Sequence, residues 1–274
     1  MSRLVVMHLM RLPRLMRLLR LMPLTRLMRL LCAGAALAGA GFSAGADTVL
    51  VAVAANFVGP LAALTPGFGA ATGHRVQVSP GATTRLATQI AAGAPYQVLL
   101  AADTETPARL VADGLAVPGS AYTYAMGHLV LWSADPKTVD PQGAVLASGQ
   151  FKHLAIANPK LAPYGQAALD VLRARGLEAT LQDRLVMAEN IAQAYQFVLT
   201  GNAELGFVAL SQLMVPGKPM AGSAWRVPAS LHRPIRQDAV LLKAGAGRPA
   251  ALALLAYLKT PAAQAVIGAH GYSF

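Results

Sequence analysis

The sequence predicts an α/β protein with mostly parallel sheets, and three observations carry that expectation. Short runs rich in Val, Leu and Ala alternate with segments of helical spacing from residue 47 onward. Several of those runs are apolar without interruption, as strands buried on both faces are. No repeat or low-complexity stretch interrupts residues 47–274, and 228 residues can supply two medium cores without a cysteine.

The runs that read as strands are Thr48–Ala54, Arg75–Ser79, Gln97–Ala101, His128–Trp132, Leu154–Ala157, Leu185–Ala188, Leu205–Ala209 and Ala239–Lys243. Helical spacing lies between them. Phe57, Leu61, Leu64 and Phe68 recur at three and four residues, Leu86 and Ile90 pair at i,i+4, and Ile191, Tyr195 and Val198 follow the same period. Leu252, Leu255 and Leu258 mark another helix, and Pro66 threatens the full length of the first. Pro216–Ser230, with three prolines and two glycines, reads as a loop.

Charge divides the chain. The formal net charge is +11, which taken whole suggests a nucleic-acid or membrane partner. Residues 1–46 hold seven arginines, no acid, six of the ten methionines and the sole cysteine, Cys32; the remainder carries a net of +4. A basic stretch, an apolar run over residues 30–42 and Ser43-Ala44-Gly45-Ala46 before Asp47 describe an export signal cut after Ala46. The run is shorter than the roughly 20 apolar residues a spanning helix needs. The basic stretch is long, and Met22 or Met28 would serve as a start as well as Met1. Leu31 before Cys32 does not suit a lipoprotein signal. The exported part has no cysteine, hence no disulfide, and its 16 bases are scattered, which argues against nucleic acid.

The exported part holds no G-x-S-x-G, no G-x-x-x-x-G-K-[ST] and no G-x-G-x-x-G. Its five histidines show no i,i+3 or i,i+4 pair, so no metal site is indicated. A secreted hydrolase would lack a nucleophile motif, and a DNA-binding regulator would lack a helix-turn-helix.

One pattern recurs. An apolar strand runs into a small polar turn at a helix start in Ala55-Asn56-Phe57, in Gly81-Ala82-Thr83-Thr84, in Pro163-Tyr164-Gly165 and in Asn190-Ile191. Singly, each is an ordinary capping arrangement. Together, helix N-termini at the carboxyl ends of strands would offer free N–H groups to an anion without a charged side chain.

The segments VAVAANF, GATTRLATQIAAGAPYQVLLAAD, ANPKLAPYGQAALDVL, AELGFVALSQL and AYLKTPAAQAVIGAHGYSF resemble, in order from Asp47 to Phe274, the periplasmic molybdate-binding proteins of ABC transporters, the ModA family. The resemblance implies a two-lobed class II periplasmic binding protein with two crossover strands between lobes, near His128–Trp132 and Ile235–Leu241. Lobe one would be residues 47–127 plus 238–274, and lobe two 128–237. It implies a monomeric carrier, not an enzyme, with no cofactor. Its ligand would be molybdate, with tungstate beside it, and its partner an inner-membrane ABC permease. Molybdenum would bind only as the oxyanion, without a direct protein–metal bond; sulfate or a small organic anion is the alternative cargo.

Carried over residue by residue, the contacts are Ala55 and Asn56 in the first turn, the hydroxyl of Thr83 or Thr84 in the second, Tyr164 in the Pro-x-Gly turn and the Ile191 N–H. One branch of the family has a ligand-contacting Tyr where this chain has Ala209, and Asn56 is expected to supply the compensating donor. Arg85 is expected at the surface or between lobes.

Overall fold

The computed structural model describes residues 46–274, so the stretch expected to direct export, residues 1–46, lies outside the described residues except for Ala46. Strand β1 (Thr48–Ala54) reads TVLVAVA, an extended apolar run, and lies parallel to β2 (Arg75–Gly81) and β3 (Val98–Leu100). Two strands from elsewhere complete the sheet: β10 (Ile235–Leu241) pairs antiparallel with β3 and with β4 (Tyr122–Gly127). The order is β2-β1-β3-β10-β4.

The period of two sorts the side chains of β1 onto two cores. Val49, Val51 and Val53 face helix α1 (Val58–Thr72), α9 (Pro249–Tyr257) and α10 (Pro261–Ala269) through Phe57, Leu61, Leu64, Phe68, Leu254 and Ile267. Ala52 faces the other way, with Leu86 and Ile90 of α2 (Thr83–Ala91) and Leu110 of α3 (Glu105–Ala112). Helices on both faces are what parallel strands require.

The second sheet has the order β7-β6-β8-β5-β9. Strand β6 (Leu154–Ala157) lies parallel to β7 (Leu185–Ala188) and β8 (Leu205–Ala209), while β5 (Leu129–Ser133) runs antiparallel to β8 and to the edge strand β9 (Ser223–Arg226). It carries the short helix α4 (Val145–Ser148), α5 (Pro163–Ala174), the short α6 (Glu178–Leu181), α7 (Ile191–Leu199) and the short α8 (Leu210–Leu213). The two sheets and their helices form two lobes. One crossing is nearly a single strand: β4 ends at Gly127, His128 intervenes, and β5 starts at Leu129. The other follows β9 and enters β10.

The structure departs from the sequence expectation in several places. β4 and β9 were not anticipated, and β9 lies inside the stretch expected to be loop. The last strand spans Ile235–Leu241, the bounds the resemblance implied for the second crossover, and so starts four residues before the apolar run Ala239–Lys243. Its early residues Arg236, Gln237 and Asp238 hide it in the sequence. Helix α1 runs straight through Pro66, because Pro66 and Ala62 lie on its exposed face, where a carbonyl freed by the missing N–H meets water. Leu252 points to solvent; Ala251, Leu254 and Leu258 form the buried stripe of that region.

Candidate functional site

Five strand ends meet at one small cavity between the lobes. It is lined by Ala54, Ala55 and Asn56 after β1, Gly81–Thr83 after β2, Ala102 after β3, Ala162–Tyr164 after β6, and Asn190 and Ile191 after β7. The structure brings Ala55, Asn56, Thr83, Tyr164 and Ile191 together, though the first and last lie 136 positions apart in sequence. All five strands pair in parallel with a neighbour in their sheet, and the cavity sits at their carboxyl ends. No lining residue carries a formal charge.

Each turn leaves donors unused within its own helix. The first N–H groups of a helix have no intrahelical partner. At α7 the Asn190 side chain caps the backbone N–H of Ala192 (3.0 Å) and Gln193 (3.1 Å), which leaves that of Ile191 uncapped on the cavity. Capping explains Asn190 but not the other turns. The residues preceding α2 and α5 make no side-chain cap bond. Thr83 Oγ accepts from the Ala102 N–H at 3.1 Å, so its own hydroxyl proton remains for another acceptor. Thr83 is 1% exposed. Thr84 lies outside the cavity, in an adjoining groove, and its N–H donates across the cleft to the Leu161 carbonyl at 3.2 Å.

Tyr164 stands at the start of α5, after a proline that suits a first helical turn. The glycine after it is sterically required: a Cβ at Gly165 would fall on the Ala157 carbonyl, where α5 packs onto the end of β6. The Tyr164 hydroxyl accepts from Gln237 Nε2 at 3.1 Å. Burial holds its pKa well above the ordinary tyrosine value, so at neutral pH it is a protonated hydroxyl.

Asn56 is also buried, and its side chain turns away from the role expected of it. Asn56 Nδ2 donates to Gln237 Oε1 at 2.8 Å and to the Tyr272 hydroxyl at 2.9 Å. Both amide hydrogens are therefore engaged inside the protein. Its carbonyl accepts from Ser211 Oγ at 2.8 Å, and the Tyr272 hydroxyl lies 3.0 Å from the same oxygen. Asn56 thus fixes the shape of the first turn. Ala209 does not line the cavity; its N–H donates to Gln212 Oε1 at 2.9 Å, and Gln212 Nε2 donates to the Ile191 carbonyl at 3.1 Å.

Behind the cavity, Asn56, Tyr124, Tyr164, Ser211, Gln237 and Tyr272 form one buried polar network. Burial raises the pKa of Tyr124 well above 10.0 and that of Tyr272 to about 12. Four of these residues escaped the sequence reading. Tyr272 and Ser211 lie within the quoted segments ending HGYSF and VALSQL, but Gln237 and Tyr124 carry no local pattern. Among the described residues no buried side-chain nitrogen or oxygen lacks a partner, and no three His, Cys, Asp or Glu side chains gather as a metal would need. Arg85 pairs with Glu189 across the mouth of the cleft, both side chains about half exposed.

A family model described as bacterial extracellular solute-binding protein matches residues 49–273. The chain is 55% identical over 230 residues to the molybdate-binding protein ModA of Azotobacter vinelandii, covering 84% of this chain and 91% of the relative. It is 50% identical over 234 residues to ModA of Rhodobacter capsulatus, covering 85% and 91%. The solved structure of the Azotobacter vinelandii periplasmic molybdate-binding protein superposes with a TM-score of 0.81 at 43% identity, over 82% of this chain and 99% of that one.

Proposed function

The chain belongs to the bacterial extracellular solute-binding proteins, among the ModA molybdate-binding proteins, and from that premise we propose that it captures molybdate in the periplasm and hands it to an inner-membrane ABC permease. The observation that carries this reading is the neutral cavity where five strand ends converge. A tetrahedral dianion there would meet hydrogen-bond donors fixed in number and direction: the turn at Ala55 and Asn56, the Thr83 hydroxyl, Tyr164 and the Ile191 N–H. Molybdenum would be held only through its oxygens.

The chain acts in this reading as a carrier, without cofactor or catalysis and as a monomer. Residues 47–127 with 238–274 form the first lobe and 128–237 the second. The lobes close on the anion, and the closed form docks on the permease. Residues 1–46 direct export and are removed.

A cage of fixed donors measures its guest. Tungstate, nearly the size of molybdate, should bind; the smaller sulfate would leave buried donors unpaired, at about 1–3 kcal/mol each. Titration calorimetry with molybdate, tungstate and sulfate tests the proposal. Binding of the first two with sulfate at least about a hundredfold weaker, a gap of roughly 2.7 kcal/mol, is expected. Tighter sulfate binding would overturn the assignment.

A further inference from the structure

The short helix α8 follows β8 in the second lobe, and two successive side chains of it reach two different turns of the cavity. Ser211 is buried and does not line the cavity, yet its hydroxyl donates to the main-chain carbonyl of Asn56 at 2.8 Å, in the first lobe. A carbonyl oxygen has no proton to give, so the proton in that bond is the one on Ser211. Gln212, the next residue, donates through Nε2 to the Ile191 carbonyl at 3.1 Å, in the second lobe, and accepts from the Ala209 N–H at 2.9 Å. One turn of helix therefore grips the carbonyls of two turns that line the cavity, one in each lobe.

Holding a carbonyl holds more than its oxygen. The peptide unit is planar, so the Asn56 oxygen cannot swing without turning the amide that follows it and reshaping the first turn. The other restraints on this residue come from the first sheet and the C-terminal segment: Asn56 Nδ2 donates to Gln237 Oε1 and to the Tyr272 hydroxyl, and that hydroxyl lies 3.0 Å from the Asn56 carbonyl. Ser211 adds the restraint that comes from across the cleft. We propose that Ser211 is a positioning residue for the anion site: through the Asn56 carbonyl, the second lobe sets the first turn in the orientation that receives the anion. The inference rests on the molybdate reading above.

The seating of α8 supports it. The Leu210 N–H donates to the His128 carbonyl at 2.9 Å, in the crossing between β4 and β5. A Cβ at Gly271 would fall 2.8 Å from the Leu210 side chain, so the backbone just ahead of Tyr272 is bare where α8 packs on it. The helix is anchored at the lobe crossing and pressed against the segment that carries Tyr272. A movement of the second lobe against the first is thus passed to the first turn through the Ser211 hydroxyl.

Ser211→Ala removes the hydroxyl and leaves the Asn56 carbonyl to Tyr272. Molybdate affinity, read by calorimetry on the folded chain, is expected to fall at least about tenfold. Ser211→Thr keeps a hydroxyl and is expected to stay within about threefold of wild type. Ser133→Ala is the control for stability alone: Ser133 is buried in the same lobe and donates to the Glu204 carbonyl at 2.6 Å, away from the cavity. Its thermal melt should drop as that of Ser211→Ala does, with affinity within about twofold of wild type. Equal affinity losses in Ser211→Ala and Ser133→Ala, an unchanged affinity in Ser211→Ala, or a loss in Ser211→Thr as large as in Ser211→Ala would overturn the role. If the melts show Ser211→Ala to be unfolded, Ser211→Cys, whose thiol is a weaker donor, decides the matter, with a loss of at least about threefold expected. Molybdate binding by the wild-type chain separates the two readings. If it is absent, the carrier reading falls and takes this one with it. If it is present and Ser211→Ala behaves as Ser133→Ala does, only the role of Ser211 falls.

Discussion

The cavity and the groove beside it share Ala102, Ala162 and Pro163, and they are built on opposite plans. The groove is open and lined by Asp103, Glu105, Asp170, Arg233 and Arg236; Arg233 Nε pairs with Asp170 at 3.1 Å. The cavity, a residue or two deeper, has no charge at all. Ionised side chains thus stand where water screens them and are withheld from where they would be desolvated. Removing an ion from water is expensive unless its partners are well placed. Helix N-termini and neutral hydroxyls supply directed donors at no such cost. A buried arginine would attract any anion, whereas a set of fixed donors selects by fit.

The first way to break this comparison is Thr83→Val, which keeps the shape and removes the hydroxyl. It leaves the buried Ala102 N–H without its partner and takes a donor from the cage. Molybdate affinity is expected to fall by about a hundredfold, roughly 2.7 kcal/mol. A titration within threefold of wild type would show that the cavity does not work through its hydroxyls. Asn56→Ala comes next. It strips two hydrogen bonds from the network and frees the first turn, and calorimetry should register a loss of more than about tenfold, or about 1.4 kcal/mol.

The neutral network also predicts a pH response. Burial lifts the Tyr272 hydroxyl to about 12 and keeps Tyr124 and Tyr164 well above the ordinary value of 10.0, so the folded state prefers the protonated phenols. Their contribution to stability is whole below pH 10 and is lost as pH rises through about 12. Denaturant melts should show no phenol-linked loss between pH 6 and 9 and a steep fall above 10; a fall centred below pH 9 would contradict the buried, neutral network. The smallest effect belongs to the rim. Arg85→Gln removes an exposed ion pair across the cleft mouth, and such pairs are worth about 0–1 kcal/mol. Affinity should drop by less than about fivefold in dilute buffer, and the difference should vanish at 1 M salt. A loss that persists in salt would assign Arg85 to the anion itself.

What the sequence revealed follows from how local each signal is. The bounds of β1, β6, β7 and β8 coincide with unbroken apolar runs. The five lining residues were legible for a related reason, since strand, small turn and helix start lie within a few residues of one another. β9 is four residues at a sheet edge, and β4 reads YTYAMG, with burial that does not alternate cleanly, so neither leaves a period to detect. The network behind the cavity is the harder case. Asn56 and Tyr272 are 216 residues apart, and Asn56 and Gln237 are 181 apart. A polar residue bound for a buried partner at that distance looks, in sequence, like one bound for water. The role assigned to Asn56 changed for this reason: the expected compensating donor has its amide hydrogens turned toward two residues that no local pattern connects to it.

The strand order sets a timetable for assembly. The strands of the second sheet all come from residues 129–226, an uninterrupted stretch that can close on itself as it emerges. The first sheet cannot. β10 must slot between β3 and β4, and Ser273 exchanges two backbone hydrogen bonds with Met126 of β4, at 2.7 and 3.2 Å. Tyr272, its neighbour, then delivers its hydroxyl to Asn56. The first turn of the cavity therefore waits on a residue synthesised 216 positions after it. Loop closure over such a separation is slow compared with local contacts. A chain emerging from its N-terminus has one lobe ready and the other open, and it completes the first sheet only when its final segment arrives.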